Sequence, residues 1–216
     1  MCCRQKQDIE IQRPSLLPTQ QFSGLRICVV GNAGVGKTCL LHRFCSSNYP
    51  GDGAIRSTIG TDVFMTRLAC TEQEQLLWPR LVSNGAIPVM LQDTAGQERF
   101  NDIPRQMLRS ASVVIMVYSL EDSDSLQQLE QRWYPMVQQN CRQRCSILVV
   151  GNKSDLLGNS EALYQEEMLP TLCQLLERNG EQFAIVETSA KSDPGARLIF
   201  EALIRRVATR LTQSDG

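Results

Sequence analysis

Eight residues, Gly31-Asn32-Ala33-Gly34-Val35-Gly36-Lys37-Thr38, restrict the fold of this chain more than any other stretch. They read G-x-x-x-x-G-K-T and follow the apolar run Arg26-Ile27-Cys28-Val29-Val30. The run Cys39-Leu40-Leu41-His42-Arg43-Phe44 comes next and can continue as a helix. Strand, glycine turn and helix in this order predict a phosphate-binding loop. Glycines at 31, 34 and 36 allow a tight turn and leave backbone amides open to phosphate oxygens. The helix beginning near Lys37 adds the positive end of its dipole. In this reading the backbone from Gly31 through Ala33, Gly34, Val35 and Gly36 to Cys39 cradles the anion. Lys37 reaches the β- and γ-phosphates, and the Thr38 hydroxyl takes Mg²⁺.

A chain of 216 residues is long enough for one well-buried domain. Its net charge of −1 gives no field that would draw it to nucleic acid or anionic lipid. No apolar run approaches the roughly 20 residues that cross a bilayer, and no signal peptide is visible. Nine cysteines accompany a single histidine, His42, so metal-ligand spacing is absent and a reducing cytoplasmic setting is expected. Residues 1–24 are polar, contain Pro14 and Pro18, and read as a flexible arm. Residues 25–212 read as the folded domain and 213–216 as a short tail.

Within the domain, strand-like segments at 26–31, 61–69, 87–92, 113–119, 146–151 and 183–188 alternate with helix-like segments. The helices are expected at 37–46, 103–110, 123–140, 161–179 and 194–211, with Asp122 or Ser123 capping the third and Asp193-Pro194 opening the last. This alternation predicts a doubly wound α/β architecture, a mainly parallel sheet covered on both faces. Residues 70–86 interrupt the rhythm with a long connection between two strands. They read either as a solvated loop or as a partner-binding excursion anchored by Leu76, Leu77, Trp78 and Leu81.

Later elements narrow the ligand. Asp93-Thr94-Ala95-Gly96-Gln97-Glu98 follows a strand, so Asp93 can hold Mg²⁺ through water, the Gly96 amide can approach the γ-phosphate, and Gln97 can orient a water. Asn152-Lys153-Ser154-Asp155 follows another strand. Asp155 there can accept two hydrogen bonds from guanine, which adenine cannot supply. The Lys153 stem can lie over the base, and Asn152 can brace the loops. Ser189-Ala190-Lys191 follows the last strand, with the Ala190 amide placed to meet guanine O6. A P-loop kinase or ATPase is the reading these elements disfavour.

With these motifs in order, the chain resembles the Ras superfamily of small GTPases, most closely its Rab-like branch. Asp93-Thr94-Ala95-Gly96-Gln97-Glu98-Arg99-Phe100 and Thr58-Ile59-Gly60-Thr61-Asp62 carry the likeness, which extends over about residues 25–210. It implies the P-loop NTPase fold of small G proteins: a six-stranded, mainly parallel sheet flanked by about five helices. It implies a monomeric switch that binds GTP or GDP with Mg²⁺ and hydrolyses GTP slowly. Thr58, in a first switch segment of about 46–60, would meet Mg²⁺ and the γ-phosphate. The second switch would span about 95–109. An exchange factor, an activating protein and effectors are the implied partners. A GTP-binding scaffold with negligible hydrolysis is the alternative.

Several residues depart from the Rab pattern. Val63 replaces a usual phenylalanine, Gln92 a usual tryptophan, and Asn101-Asp102-Ile103-Pro104 a different switch run. Ala33 stands where Ras proteins carry glycine, beside the path of an incoming arginine. The C-terminal run from Arg205 has no cysteine, so C-terminal prenylation is not expected. Cys2 and Cys3, beside Arg4 and Lys6, read as plain exposed thiols or as acylation sites for peripheral membrane association.

Overall fold

The computed structural model describes residues 10–12, 22–46, 51, 61–94, 102–141, 145–157, 159–192 and 195–213. Among them the chain forms strands β1 (Glu10–Gln12), β2 (Leu25–Val30), β3 (Thr61–Ala69), β4 (Ala86–Thr94), β5 (Val113–Ser119), β6 (Ser146–Asn152) and β7 (Gln182–Glu187). Helices α1 (Lys37–Ser46), α2 (Glu72–Leu77), α3 (Asp102–Leu108), α4 (Ser123–Gln128), α5 (Tyr134–Asn140), α6 (Asn159–Arg178) and α7 (Ala196–Gln213) join them. The sheet order is β1-β3-β4-β2-β5-β6-β7. Pairs β4–β2, β2–β5, β5–β6 and β6–β7 are parallel, whereas β1–β3 and β3–β4 are antiparallel.

All six expected strands are present. The addition is β1, three residues of the N-terminal arm that pair with β3 from Glu10↔Met65 to Gln12↔Val63. Asp122 caps α4 by accepting from the Ser125 amide. The start proposed for the last helix at Asp193-Pro194 lies outside the described residues.

The central strands carry apolar residues on both faces, as a covered parallel sheet requires. On β2, Leu25, Ile27 and Val29 enter one core with α1 and α7, while Cys28 and Val30 enter the other with α4, α5 and α6. The β5 residues divide in the same way, with Ile115 on one side and Met116 on the other. On the first side α1 meets α7 through Phe44 and Phe200, stacked with ring centroids 4.7 Å apart.

The segment expected as one helix over 123–140 contains a π turn at Leu129–Trp133, closed by the Tyr134 amide on the Leu129 carbonyl. Pro135 follows at once. Its ring would clash with the carbonyl four residues back and it has no amide to donate, so a widened turn accommodates it.

The 70–86 connection is mostly ordered structure. Thr71 and Glu74 form a reciprocal capping box at the start of α2. Trp78 then turns inward and is buried in the α1/α7 core, with Leu81 half-buried against it. Trp78 is thus a core residue and Leu81 packs against that core, so neither is the exposed anchor that the partner-binding alternative required. Leu76 and Leu77 do face outward, at 82% and 63% exposure. The Arg205 guanidinium of α7 holds Glu74 at 2.7 Å and also donates to the Ala69 carbonyl, fastening α2 to the last helix.

Candidate functional site

The phosphate loop leaves the C-terminal end of β2, where β4 lies on one side and β5 on the other. This is the point at which open α/β sheets bind ligands. Gly31 is needed at its place: a Cβ there would come within 2.2 Å of the Val117 carbonyl oxygen, on a backbone with φ of 143°. Gly36, at φ of 92°, leaves the space that the Asn152 amide fills, since a Cβ would stand 2.3 Å from its Nδ2. Ala33 and Gly34 are exposed at the mouth of the loop, whereas Val35 and Cys39 are buried in the core below it.

Lys37 is 6% exposed, and its ammonium donates to the carbonyls of Gly31 at 2.9 Å and Asn32 at 2.8 Å. Burial pulls its pKa down to about 8, against the opposing pull of Asp93. The Thr38 hydroxyl donates to Asp93 Oδ2 at 2.5 Å. Asp93, at the end of β4, is fully buried, and next to it the Thr94 hydroxyl donates to the Val29 carbonyl at 2.7 Å. Two hard oxygen donors in contact beside a phosphate loop suit Mg²⁺ in kind.

The base-side loops meet at Asn152, the last residue of β6 and 2% exposed. Its Nδ2 donates to the Val35 carbonyl at 2.8 Å, and its Oδ1 accepts from the Ala190 amide at 3.0 Å. One side chain therefore joins the phosphate loop to the segment Ser189-Ala190-Lys191. The amide expected to meet guanine O6 is already engaged by Asn152. Ser189 is fully buried; its hydroxyl donates to Asp155 Oδ1 and accepts from the amides of Lys191 and Ser192. Lys153 takes a left-handed backbone, φ of 67°, which turns the chain into the 3₁₀ turn Ser154–Leu156. Its ammonium pairs with Glu121 Oε1 at 2.5 Å. Thr58, Gly96 and Gln97 lie outside the described residues.

Three supports have no signal in the motifs. Arg43 of α1 donates from Nε to the Ala190 carbonyl at 2.8 Å and from Nη2 to the Lys191 carbonyl at 2.6 Å. The Trp133 indole, presented by the π turn, donates to Asn32 Oδ1 in the phosphate loop at 2.8 Å. Glu121 completes the set through Lys153. Each bridges residues far apart in the chain, so no local pattern announces it. A polar residue on the loop-facing end of a helix is the nearest clue, and it singles out Arg43 weakly.

A glycine loop between β2 and α1, with a buried Lys37 and the paired oxygens of Thr38 and Asp93 beside it, defines a phosphate-loop protein. The Ras family model matches residues 26–209. Ras-related protein Rab-30 of Homo sapiens is 32% identical over 192 residues, which cover 88% of this chain and 82% of that protein. GTP-binding protein YPTM2 of Zea mays is 32% identical over 191 residues, covering 88% and 83%. Ras-related protein SEC4 of Saccharomyces cerevisiae is 28% identical over 193, covering 87% and 76%. The chain belongs to the Ras family and is a Rab-like small GTPase, a GTP-hydrolysing molecular switch.

Proposed function

We propose that this chain binds GTP and GDP with Mg²⁺ at the loops described and works as a switch in vesicle trafficking. The Asn152 clamp carries the reading. A buried amide that spends both its ends on loops from distant parts of the chain fixes the phosphate and base subsites relative to each other. Such pre-organisation lets the two halves of a nucleotide be recognised together.

Lys37 neutralises β- and γ-phosphate oxygens from a buried position where charge is little screened. Thr38 and Asp93 would hold Mg²⁺ directly or through water, with Thr58 added from the first switch segment. When bound, the ion supplies positive charge to the phosphate oxygens. Gln97 orients the attacking water, and the Gly96 amide binds the γ-phosphate. Asp155, steadied by Ser189, accepts from guanine. For the Ala190 amide to reach O6, it must be shared with Asn152 Oδ1 or change partner when the base enters. Exchange factor, activating protein and effectors follow as protein partners. The chain works as a monomer in the cytoplasm or peripherally on membranes. Among the described residues no helix is long and apolar enough to cross a bilayer.

A GTP-binding scaffold with negligible hydrolysis is favoured by one observation. Val63 and Gln92, both departures from the Rab pattern, are buried cross-strand partners on β3 and β4. The two departures therefore sit together at one rung of the β3–β4 ladder, beside the Asp62↔Asp93 pair that leads into the site. Single-turnover GTP hydrolysis by the wild type and by Gln97→Leu separates the readings. The switch reading expects slow phosphate release that the substitution abolishes; release at the uncatalysed background in both selects the scaffold.

A further inference from the structure

The nucleotide loops leave the C-terminal ends of the parallel strands. At the opposite ends, β6 and β7 meet α7 across a hollow of about 400 Å³. Its apolar lining includes Ala184 of β7 with Leu203 and Val207 of α7, which pack in or against the α1/α7 core. Arg206 and Arg210 also line it, one helical turn apart on the same face of α7. Arg210 is held in place, because its Nη1 donates at 2.7 Å to Ser146 Oγ and to Gln182 Oε1, the residues that open β6 and β7. Arg206 is exposed, and among the described residues it forms no ion pair. No carboxylate of the described residues lines the hollow. Glu181, next to Gln182 in the chain, accepts from the Tyr134 hydroxyl at 3.4 Å instead.

The hollow opens beside a sheet edge. β7 ends the strand order and, among the described residues, pairs only with β6. Every residue of β6 is buried, whereas Phe183, Ala184, Ile185 and Val186 of β7 are all half-buried. An edge strand presents a row of unpaired N–H and C=O groups, and proteins ordinarily blunt it with lysine, proline, a bulge or an inward charge. Phe183–Val186 contains no such residue and pairs with β6 in unbroken register. The other edge of the sheet differs, since β1 lies along β3 there.

We propose that the β7 edge and the hollow together dock an extended acidic peptide of a partner protein, which adds to β7 as a further strand and sets one carboxylate between Arg206 and Arg210. Strand addition draws affinity from backbone hydrogen bonds, and a pocket for an alternate side chain supplies specificity. The hollow is at the low end of the roughly 300–1,000 Å³ of small-molecule sites, a size that suits a side chain. Two guanidinium groups select a carboxylate to fill it. Ala184 and Val186 face the α7 side of the sheet, and Phe183 and Ile185 face the other. The acidic residue of an added strand therefore has neighbours that point to the apolar side, where β-branched or aromatic residues pack best. Because the site lies at the far ends of the strands from Asn152 and the phosphate loop, the peptide and the nucleotide bind together.

The test selects a phage-displayed library of random peptides on the full chain, then titrates the enriched peptides by fluorescence anisotropy. The expected peptides carry Asp or Glu between β-branched or aromatic residues. Arg206→Glu should weaken them about tenfold or more, with thermal unfolding unchanged because the side chain is exposed. Methylating alternate backbone nitrogens of a peptide should abolish binding in one phase and spare it in the other, since only every second residue of an added strand faces the edge. The proposal is overturned if no acidic peptide is enriched, if Arg206→Glu binds equally well, or if both methylated series behave alike. A dimer in sedimentation that Arg206→Glu dissociates would assign the edge to a second copy. Peptide binding only after deletion of residues 214–216 would assign the hollow to the chain's own tail. Either result overturns the partner peptide. Titrations with and without GDP should give one affinity, so the outcome stands apart from the nucleotide reading; competition by GDP overturns the separate site.

Discussion

The two ends of the sheet are stabilised in opposite ways. Where β2, β4 and β6 end, polar side chains are buried: Lys37, Asp93, Asn152 and Ser189 lie at 0–6% exposure and bond to distant loops. At the other end, the 70–86 excursion buries Trp78, and its polar contacts include the local Thr71–Glu74 box and one partly buried pair with Arg205. A buried polar network is costly unless each member is partnered, so it tolerates few alternatives and fixes one arrangement of loops. An apolar plug under a capped helix stabilises without specifying any ligand. The nucleotide end is therefore built for recognition. The excursion end is anchored firmly but leaves Leu76 and Leu77 to solvent.

Trp78→Ala should have the largest effect on stability, about 3–5 kcal/mol from lost burial and the cavity left behind. Thermal unfolding would show it, while the GDP release rate at low temperature stays at the wild-type value. A large rise in release would mean that the two ends are not separate. Asn152→Ala should do the reverse. It strands the Val35 carbonyl and the Ala190 amide, at about 1–3 kcal/mol each, and the loss should appear mainly as weakened GDP binding in a titration. Equal losses of stability and affinity in both variants would dissolve the distinction.

Smaller effects sharpen it. Arg205→Ala removes a partly buried pair with Glu74 and should cost about 1 kcal/mol in denaturant unfolding. Burial pushes the Glu74 carboxyl up, but the Thr71 amide and hydroxyl and the Arg205 guanidinium outweigh it and leave the group below its ordinary value. A depressed carboxylate stabilises the fold above its unfolded-state pKa and loses that contribution as pH falls through the folded value. The wild type should thus lose more stability on acidification below pH 4.5, the ordinary glutamate value, than Glu74→Gln does. Identical acid limbs would remove the carboxylate from the account. Leu76→Ser with Leu77→Ser should change stability by no more than about 0.5 kcal/mol, since neither side chain is buried.

Much of this was legible in the sequence. The strand–loop–helix at 25–46 was, because glycine chemistry and apolar patterning act locally and agree. The α2 capping box was also present as Thr71 and Glu74, although the segment reads as a loop when only its length and polarity are weighed. Trp78 is ambiguous in the sequence because an aromatic in a connection has two destinations, and its choice depends on space between α1, α7 and the sheet that no local pattern encodes. β1 is three residues, two of them polar, and exists only through its pairing with β3. Arg43 and Trp133 find their acceptors 147 and 101 residues away, so spacing within a motif could not reveal them.

The central claim is that the braced loops select a guanine nucleotide. Titrating the full chain with GDP and with ADP, each with Mg²⁺, tests it most directly. A site built to hydrogen-bond the guanine edge should prefer GDP by about 10⁴-fold or more, and Asp155→Ala should shrink the gap. Equal affinity for the two nucleotides, unchanged by Asp155→Ala, would contradict it.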